Sequence, residues 1–471
     1  MTEKQLNDLN PYLHGLYAPV RDEVSADKLE VVGEIPRDLH GGYFRNGPNP
    51  ATAPKGMHHW FDGDGMIHGV WFENGEARYR NRYVQTEDLK ANGAAPLGDT
   101  VLGGIFEPSR DAAGRSVHYK DTANTDLVYH NGQLLALWYI SGQPVAVDAA
   151  TLETIGAENF SGKLPGNISA HSKTDPKTGE LVFFDYAVYE PKMWTGTVSA
   201  QGALTQFQEI DLPGPRLPHD MGMTENYVIL HDLPVVFSEQ AIKNRLWQIH
   251  VADQPTRFGV VPRKGPNLHQ GPKWFEFPTC YVYHVINAWE ECDEVVMAAC
   301  RMVPNGFEPD PQYGPYAPMV DVLALRAQPF VWRMNMKTGE GREEQIDDAL
   351  SEFPVVNNDW AGRKTRYSYH VVFDDCIPQR FSALLKYDLT TGASTRHEFP
   401  AGVYGSEPAF APRIDAKGED DGYLISFTAD HDGKSEAHII DAQNMTAPPL
   451  ARVKLPQRVP LGFHGVWAAG V

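Results

Sequence analysis

Eighteen histidines are spread along the chain, and imidazole is the side chain best suited to metal ligation and to proton transfer near neutral pH. Most histidines in any protein are ordinary surface or core residues, so their number alone points nowhere. Local setting singles out four segments: PGNISAHSK with His171, RLPHDMGMTENYVILHD with His219 and His231, FPTCYVYHVINAWEE with His284 and RVPLGFHGVW with His464. In the last three the histidine stands within or beside an apolar or Pro/Gly-framed run. An imidazole pressed into such a run needs both ring nitrogens satisfied, by hydrogen bonds or by a metal. Two readings stay open at this level: a metal centre, or structural histidines in a non-enzymatic binding platform.

Compact metal motifs are missing. There is no H-E-x-x-H helix, no paired cysteine spacing and no EF-hand loop, so a metal site would have to be gathered from distant strands. The nucleophile motif G-x-S-x-G is absent, and G-D-G-M-I-H-G at Gly63 to Gly69 has the wrong glycine spacing for a dinucleotide loop. Hydrolase and nicotinamide chemistry lose ground. A zinc hydrolase loses ground with them, since no compact zinc motif is present.

The elements that must position these residues read as strands. MIHGVWFENGEARYRNRYV and DLVYHNGQLLALWYI each place Asn-Gly between two strand-like runs, a strong hairpin signal. Further turns stand in KTDPKTGELVFFDY, VWRMNMKTGEGREEQI, LLKYDLTTGASTRHEF and FTADHDGKSEAHIIDAQN. Short antiparallel strands over this length must hide their edges, and radial repetition of four-stranded blades does so. A β-propeller is expected ahead of two β-sandwiches, although no tryptophan–aspartate or kelch repeat is visible. With 36 Pro and 42 Gly dispersed, no linker stands out, and residues 1–471 read as one domain.

Composition narrows the partners. A formal charge of −20 disfavours attraction to nucleic acid or to an anionic bilayer. Four cysteines, Cys280, Cys292, Cys300 and Cys376, lack C-x-x-C spacing and read as free thiols of a reducing compartment. MTEKQLNDLNPYLHGLYAPV lacks the features of a secretory signal, and no run approaches the ~18 apolar residues of a membrane span. The expectation is a cytoplasmic protein.

Ordered blocks along nearly the whole chain resemble the carotenoid cleavage oxygenase family, which also holds stilbene- and isoeugenol-cleaving dioxygenases. They are EIPRDLHGGYFRNGPNP, HHWFDGDGMIHGVWFENGEARYRNRYVQTE, ANTDLVYHNGQLLALW, the four histidine segments, and SEPAFAPRIDAKGEDDGYLISF. The resemblance implies an all-β, seven-bladed β-propeller with a dome of loops and helices over an axial metal site. It places Fe(II) on His171, His219, His284 and His464, whose separations of 48, 65 and 180 residues suit ligands from different blades. It also implies glutamates that orient the ligands: Glu352 in SEFPVVNNDW for His284, and Glu407 in GSEPAF for His464. Where relatives carry a third glutamate after LLAL, this chain has Trp138-Tyr139. Either the Tyr139 hydroxyl or a water is expected to take that glutamate's place beside His219.

The implied reaction is oxidative cleavage of a conjugated C=C bond by O2 to two carbonyl products, with no organic cofactor. Thr125 in ANTD falls where relatives place a small side chain near an open iron position, and it also suits an ordinary strand start. Stilbene cleavers of the family hold the substrate phenol with Lys and Tyr, and those positions are Trp138 and Phe106 here. Loss of both handles favours a carotenoid or apocarotenoid over a stilbene or 4-alkenyl phenol. His118 or Lys120 in RSVHYKDT could supply another handle, and Phe61, Phe106 and Trp138 are the expected tunnel walls. An apolar tunnel mouth would allow peripheral contact with a bilayer despite the acidic charge.

Overall fold

The two Asn-Gly hairpins form as their turn chemistry dictates. Asn74-Gly75 joins Met66–Glu73 to Glu76–Tyr83, and Asn131-Gly132 joins Asp126–His130 to Gln133–Leu137. All four turn residues have positive φ, 53° and 80° in the first turn and 49° and 80° in the second. That is the type I′ geometry whose twist matches paired strands. The computed structural model describes residues 3–54, 58–93, 109–110, 116–244, 249–268, 270–302, 311, 314, 326–374, 376 and 378–471.

Repetition of such hairpins builds a seven-bladed β-propeller. The innermost strands of blades 2 to 7 are, in chain order, Asp126–His130, Lys173–Thr174, Gly222–Met223, Tyr281–Glu291, Ser351–Val355 and Ala409–Pro412. Blade 1 takes its innermost strand from the far end of the chain: Gly465–Ala469 pairs antiparallel with Gly41–Arg45, with Tyr43 opposite Trp467. A second clasp adds Val31–Gly33 to the outer edge of blade 7, with Val32 opposite Arg452. Both clasps cover strand edges that would otherwise stay open.

The core is a series of layers between neighbouring blades. Tyr43, Phe72 and Tyr79 of blade 1 meet Ile425, Phe427 and Ile439 of blade 7. Leu135 and Leu137 of blade 2 meet Leu181, Phe183 and Val198 of blade 3. Burying each such side chain contributes about 1.5–3 kcal/mol, which favours a ring of interlocked sheets. Gly63 and Gly65 serve this packing: a Cβ on Gly65 would lie 2.7 Å from the carbonyl oxygens of Thr122 and Ala123, and one on Gly63 would lie 2.7 Å from the Asn49 nitrogen.

Over one end of the axis lie the helical turns Pro11–Leu13, Gly15–Tyr17 and Trp60–Asp62, and the hairpin Val235–Phe237/Ile249–Val251 with its helix Glu239–Asn244. Edge-on and tilted ring contacts tie this cap together, Tyr17 to Trp60 at 5.1 Å and Trp60 to Phe463 at 4.5 Å. Among the described residues, no helix is long and apolar enough to cross a membrane.

Candidate metal centre

Four inner strands begin or bend at a histidine. His464 immediately precedes Gly465–Ala469, and His171 and His219 stand just ahead of Lys173–Thr174 and Gly222–Met223. His284 lies inside Tyr281–Glu291, where the pairing steps from Val282 opposite Arg301 to Val285 opposite Ala299. That extra residue is a β-bulge, and it re-aims the side chain toward the axis. His171 has φ +70°, a conformation costing of order 1–3 kcal/mol that persists only when the surroundings impose it.

The structure brings all four together, each buried, with one nitrogen from each within 4.8 Å of the other three. Ring centroids stand 4.5 Å apart for His171–His464 and 4.7 Å for His284–His464. The Nε2 atoms of His171 and His284 are buried without a hydrogen-bond partner. Orphaned ring nitrogens facing one another lose water and gain nothing unless a cation sits between them.

Carboxylates hold part of this cluster. Nδ1 of His284 lies 2.5 Å from Oε2 of Glu352, an oxygen that also accepts the Phe353 N–H at 2.6 Å. Nδ1 of His464 lies 2.9 Å from Oε1 of Glu407, whose other oxygen accepts the Gly465 N–H at 2.7 Å. Each glutamate accepts the Nδ1 proton and leaves Nε2 as the lone-pair face. Phe353, in its own bulge with φ +50°, sets its ring at a tilt 4.9 Å from His284 and 5.1 Å from His464.

The other two histidines are braced differently. The His171 backbone N–H donates to Oδ2 of Asp126 at 2.9 Å. Asp220, directly after His219, accepts from the backbone N–H groups of Met221 and Val285 at 2.6 Å each and pairs with Lys173 at 2.6 Å. The His219 ring lies between Tyr139 at 5.4 Å and Tyr283 at 4.9 Å. Among the described residues no carboxylate hydrogen-bonds that ring. The Tyr139 ring thus packs on His219, and its carbonyl accepts from the hydroxyls of Tyr186 and Ser169 at 2.8 and 3.2 Å.

Burial pulls the protonation of His171, His219 and His284 well below the ordinary imidazole range, leaving the neutral, ligating form. Burial also opposes protonation of His464, but the adjacent Glu407 carboxylate raises it above that range. Burial pushes the carboxyl of Glu352 up to about 8 and that of Asp126 to about 6. A divalent cation among these imidazoles would counter that push by favouring the ionised carboxylates.

On the cap side the cluster opens into a narrow pocket of about 20 Å³ walled by Trp60, Phe61, Tyr139, Tyr283, Phe353 and Phe463, with Thr125 at its base. Asn124 fixes the Phe61 loop by donating to the carbonyls of Phe61 and Gly63 at 2.8 and 2.7 Å, and the Thr125 hydroxyl donates to Asn124 at 2.9 Å. Phe61 and Thr125, two of the residues expected along a tunnel, line this pocket. Trp138 takes another place: it is not a wall of this pocket, and its ring is buried with Phe160, Ile168 and Phe183 between blades 2 and 3. The chain turns after Leu137, so the two neighbours diverge and Tyr139 faces the site. Phe106 lies outside the described residues, and of His118 only the backbone, in Ser116–His118, is described. Lys120 is ion-paired with Asp64, which removes it as a free handle.

Sequence reasoning passed over Trp60, Tyr283, Phe353 and Phe463 as walls and Asp126 and Asp220 as braces. Each is the immediate neighbour of a residue already singled out: Phe61, His284, Glu352, His464, Thr125 or His219. That adjacency was the available signal. Away from the cap, the cluster faces a wider cavity of about 330 Å³ along the axis.

Residues 17–469 match the family model described as retinal pigment epithelial membrane protein. The chain is 36% identical over 488 residues to a carotenoid 9,10(9′,10′)-cleavage dioxygenase 1 of Pisum sativum, covering 96% of this chain and 89% of that one. Its fold superposes on the crystal structure of Pseudomonas brassicacearum lignostilbene dioxygenase with a TM-score of 0.87 and 30% identity, covering 98% and 99% of the two chains. Cobalt-substituted apocarotenoid oxygenase of Synechocystis superposes at 0.84 with 26% identity, covering 96% and 97%.

Proposed function

This chain belongs to the retinal pigment epithelial membrane protein family of carotenoid cleavage oxygenases, and from that premise we propose that it binds one Fe(II) through His171, His219, His284 and His464 and cleaves a carotenoid or apocarotenoid. The family makes it an O2-incorporating, alkene-cleaving dioxygenase. The single observation that carries the finer reading is the convergence of four buried imidazoles beneath an aromatic pocket.

The donor set fits a first-row divalent ion. Metal–imidazole bonds of about 2.1 Å set opposite nitrogens about 4.2 Å apart, and the observed limit of 4.8 Å needs only a slight contraction. The orphaned Nε2 atoms of His171 and His284 are the ones such an ion would satisfy. Imidazole ligation suits iron among other metals. Bound there by neutral ligands, Fe(II) would keep its full charge and open positions for O2 activation.

The chain's own residues supply position and dryness. Glu352 and Glu407 hold the protons on Nδ1 of His284 and His464 and keep their rings aimed inward. Trp60, Phe61, Phe353 and Phe463 exclude water and present apolar faces to an extended alkene, which needs no polar handle. Catalysis then rests on holding alkene and O2 in register.

Incubation of iron-loaded protein with labelled O2 and a panel of carotenoids, apocarotenoids, stilbenes and 4-alkenyl phenols, read by mass spectrometry, tests this. Two labelled carbonyl fragments from a polyene are expected. A second substrate reading has its own support: the lignostilbene dioxygenase likeness, with the buried tyrosines Tyr139 and Tyr283 in the pocket wall. Aromatic aldehydes from the phenolic substrates alone would move the assignment there. No product from any of them with iron bound would refute both.

A further inference from the structure

The histidine cluster separates two spaces, an almost wholly apolar pocket and a wider cavity of mixed lining, and only the first has a use in the reaction above. The axial cavity of about 330 Å³ reaches from His171, His284 and His464 to the exposed residues Pro176, Asn358 and Asp359 on the face away from the cap. At roughly 30 Å³ per water it has room for about ten waters. The aromatic pocket, about 20 Å³, has room for no more than one.

The walls of the axial cavity carry Asp126, Asp220 and Glu407 beside the histidines and Asp359 at the mouth, against one cationic side chain, Lys173. Backbone N–H donors pin the three inner carboxylates: Leu127 and His171 for Asp126, Met221 and Val285 for Asp220, Gly465 for Glu407. The mouth is held open in a fixed shape. Asn287 donates to the carbonyls of Trp360 and Arg363 at 3.1 and 2.9 Å and accepts the Gly362 N–H at 3.0 Å, and Arg363 pairs with Asp175 at 3.1 Å. Asp359 itself has no ion-pair partner among the described residues.

We propose that this axial cavity is the route by which a hydrated divalent cation reaches the four histidines, drawn in by Asp359 at the mouth and passed inward along the pinned carboxylates. The inference rests on the metal reading above. The buried, unpartnered Nε2 atoms of His171 and His284 at the inner end give the route its destination. A hexahydrated ion fits the wide cavity, whose mixed lining carries the carboxylates for which it can exchange its waters. The aromatic pocket is walled by rings and offers it no carboxylate to replace its waters. Cation entry and alkene entry are thereby assigned to opposite faces of the propeller.

The test is stopped-flow binding of Co(II), followed by its visible absorption, to metal-stripped full-length protein. Asp359→Lys should slow association about ten-fold at low ionic strength, the scale of electrostatic steering, and the difference should fade near 1 M salt, where the Debye length is about 3 Å. Because a route variant changes entry and exit alike, the Co(II) dissociation rate should fall by the same factor, leaving Kd and the final stoichiometry unchanged. Glu239→Lys, the same charge change in the exposed helix Glu239–Asn244 of the cap, should leave the rate as in the parent. Equal rates for Asp359→Lys and the parent, or equal slowing by Glu239→Lys, would overturn the route while leaving the metal site standing. Failure of the parent to bind one Co(II) per chain would instead overturn the metal reading, and the route with it.

Discussion

The two halves of the histidine cluster are held by different physics. His284 and His464 each face a glutamate from the neighbouring part of the ring, Glu352 in blade 6 and Glu407 just ahead of the inner strand of blade 7. His219 is flanked by the rings of Tyr139 and Tyr283, and His171 is fixed through its backbone by Asp126 and by a left-handed φ. A carboxylate fixes a tautomer and strengthens the donor nitrogen, whereas ring packing fixes position alone. The glutamate-backed half should therefore dominate metal affinity, and the tyrosine-backed half should mainly set geometry and pocket shape.

The largest effect is expected from Glu352→Ala, which leaves the Nδ1–H of His284 and the Phe353 N–H buried and unpaired. Metal affinity should fall by about 100-fold, the upper end for loss of such a partner, and thermal stability should drop by about 1–3 kcal/mol per orphaned group. Equilibrium Co(II) titration and calorimetry would read both. Glu407→Gln retains an acceptor oxygen and should cost nearer ten-fold in affinity. Tyr139→Ala should cost less than Glu407→Gln while raising KM through the lost wall against Phe61, 5.0 Å away. A loss as large as that of Glu352→Ala would break the comparison and make Tyr139 a full substitute for the missing glutamate.

In metal-free protein the buried groups of the cluster give stability a pH dependence. Glu352 holds its proton to about 8 when folded, against 4.5 when unfolded. Between those values the folded state binds more protons, so stability falls as pH rises. The imidazoles of His171, His219 and His284, depressed on folding, act below the ordinary value of 6.5, where their stabilisation is lost as pH falls. From pH 6.5 to 8 the Glu352 slope remains, joined by that of Asp185, whose carboxyl burial likewise pushes up to about 8, and by that of His464, whose raised protonation stabilises below 6.5 and is lost as pH rises through its folded value. Thermal melts should show decreasing Tm across this window, and Glu352→Gln should make the slope shallower while the Asp185 and His464 contributions stay. An unchanged slope in that variant would locate the titration elsewhere.

Local chemistry made parts of this legible in the sequence. Asn74-Gly75 and Asn131-Gly132 announced their hairpins because two consecutive positive-φ residues admit few other structures. The ring closure did not show, because pairing of Gly465–Ala469 with Gly41–Arg45 is a contact between chain ends with no local signature. The four histidines and two glutamates were legible through the order of their motif settings. Their surroundings were less so: the bulges at His284 and Phe353 re-aim side chains by one residue, which alternation alone does not foresee. The same one-residue sensitivity explains Trp138, which packs between blades while its neighbour Tyr139 takes the place beside His219.

The most direct test of the four-histidine site is iron content after anaerobic reconstitution, measured on the parent and on His284→Ala with circular dichroism as the check on folding. One Fe(II) per chain is expected in the parent, with iron and polyene cleavage lost together in a folded His284→Ala. A parent that holds no stoichiometric iron, or a variant that keeps both iron and activity, would contradict it.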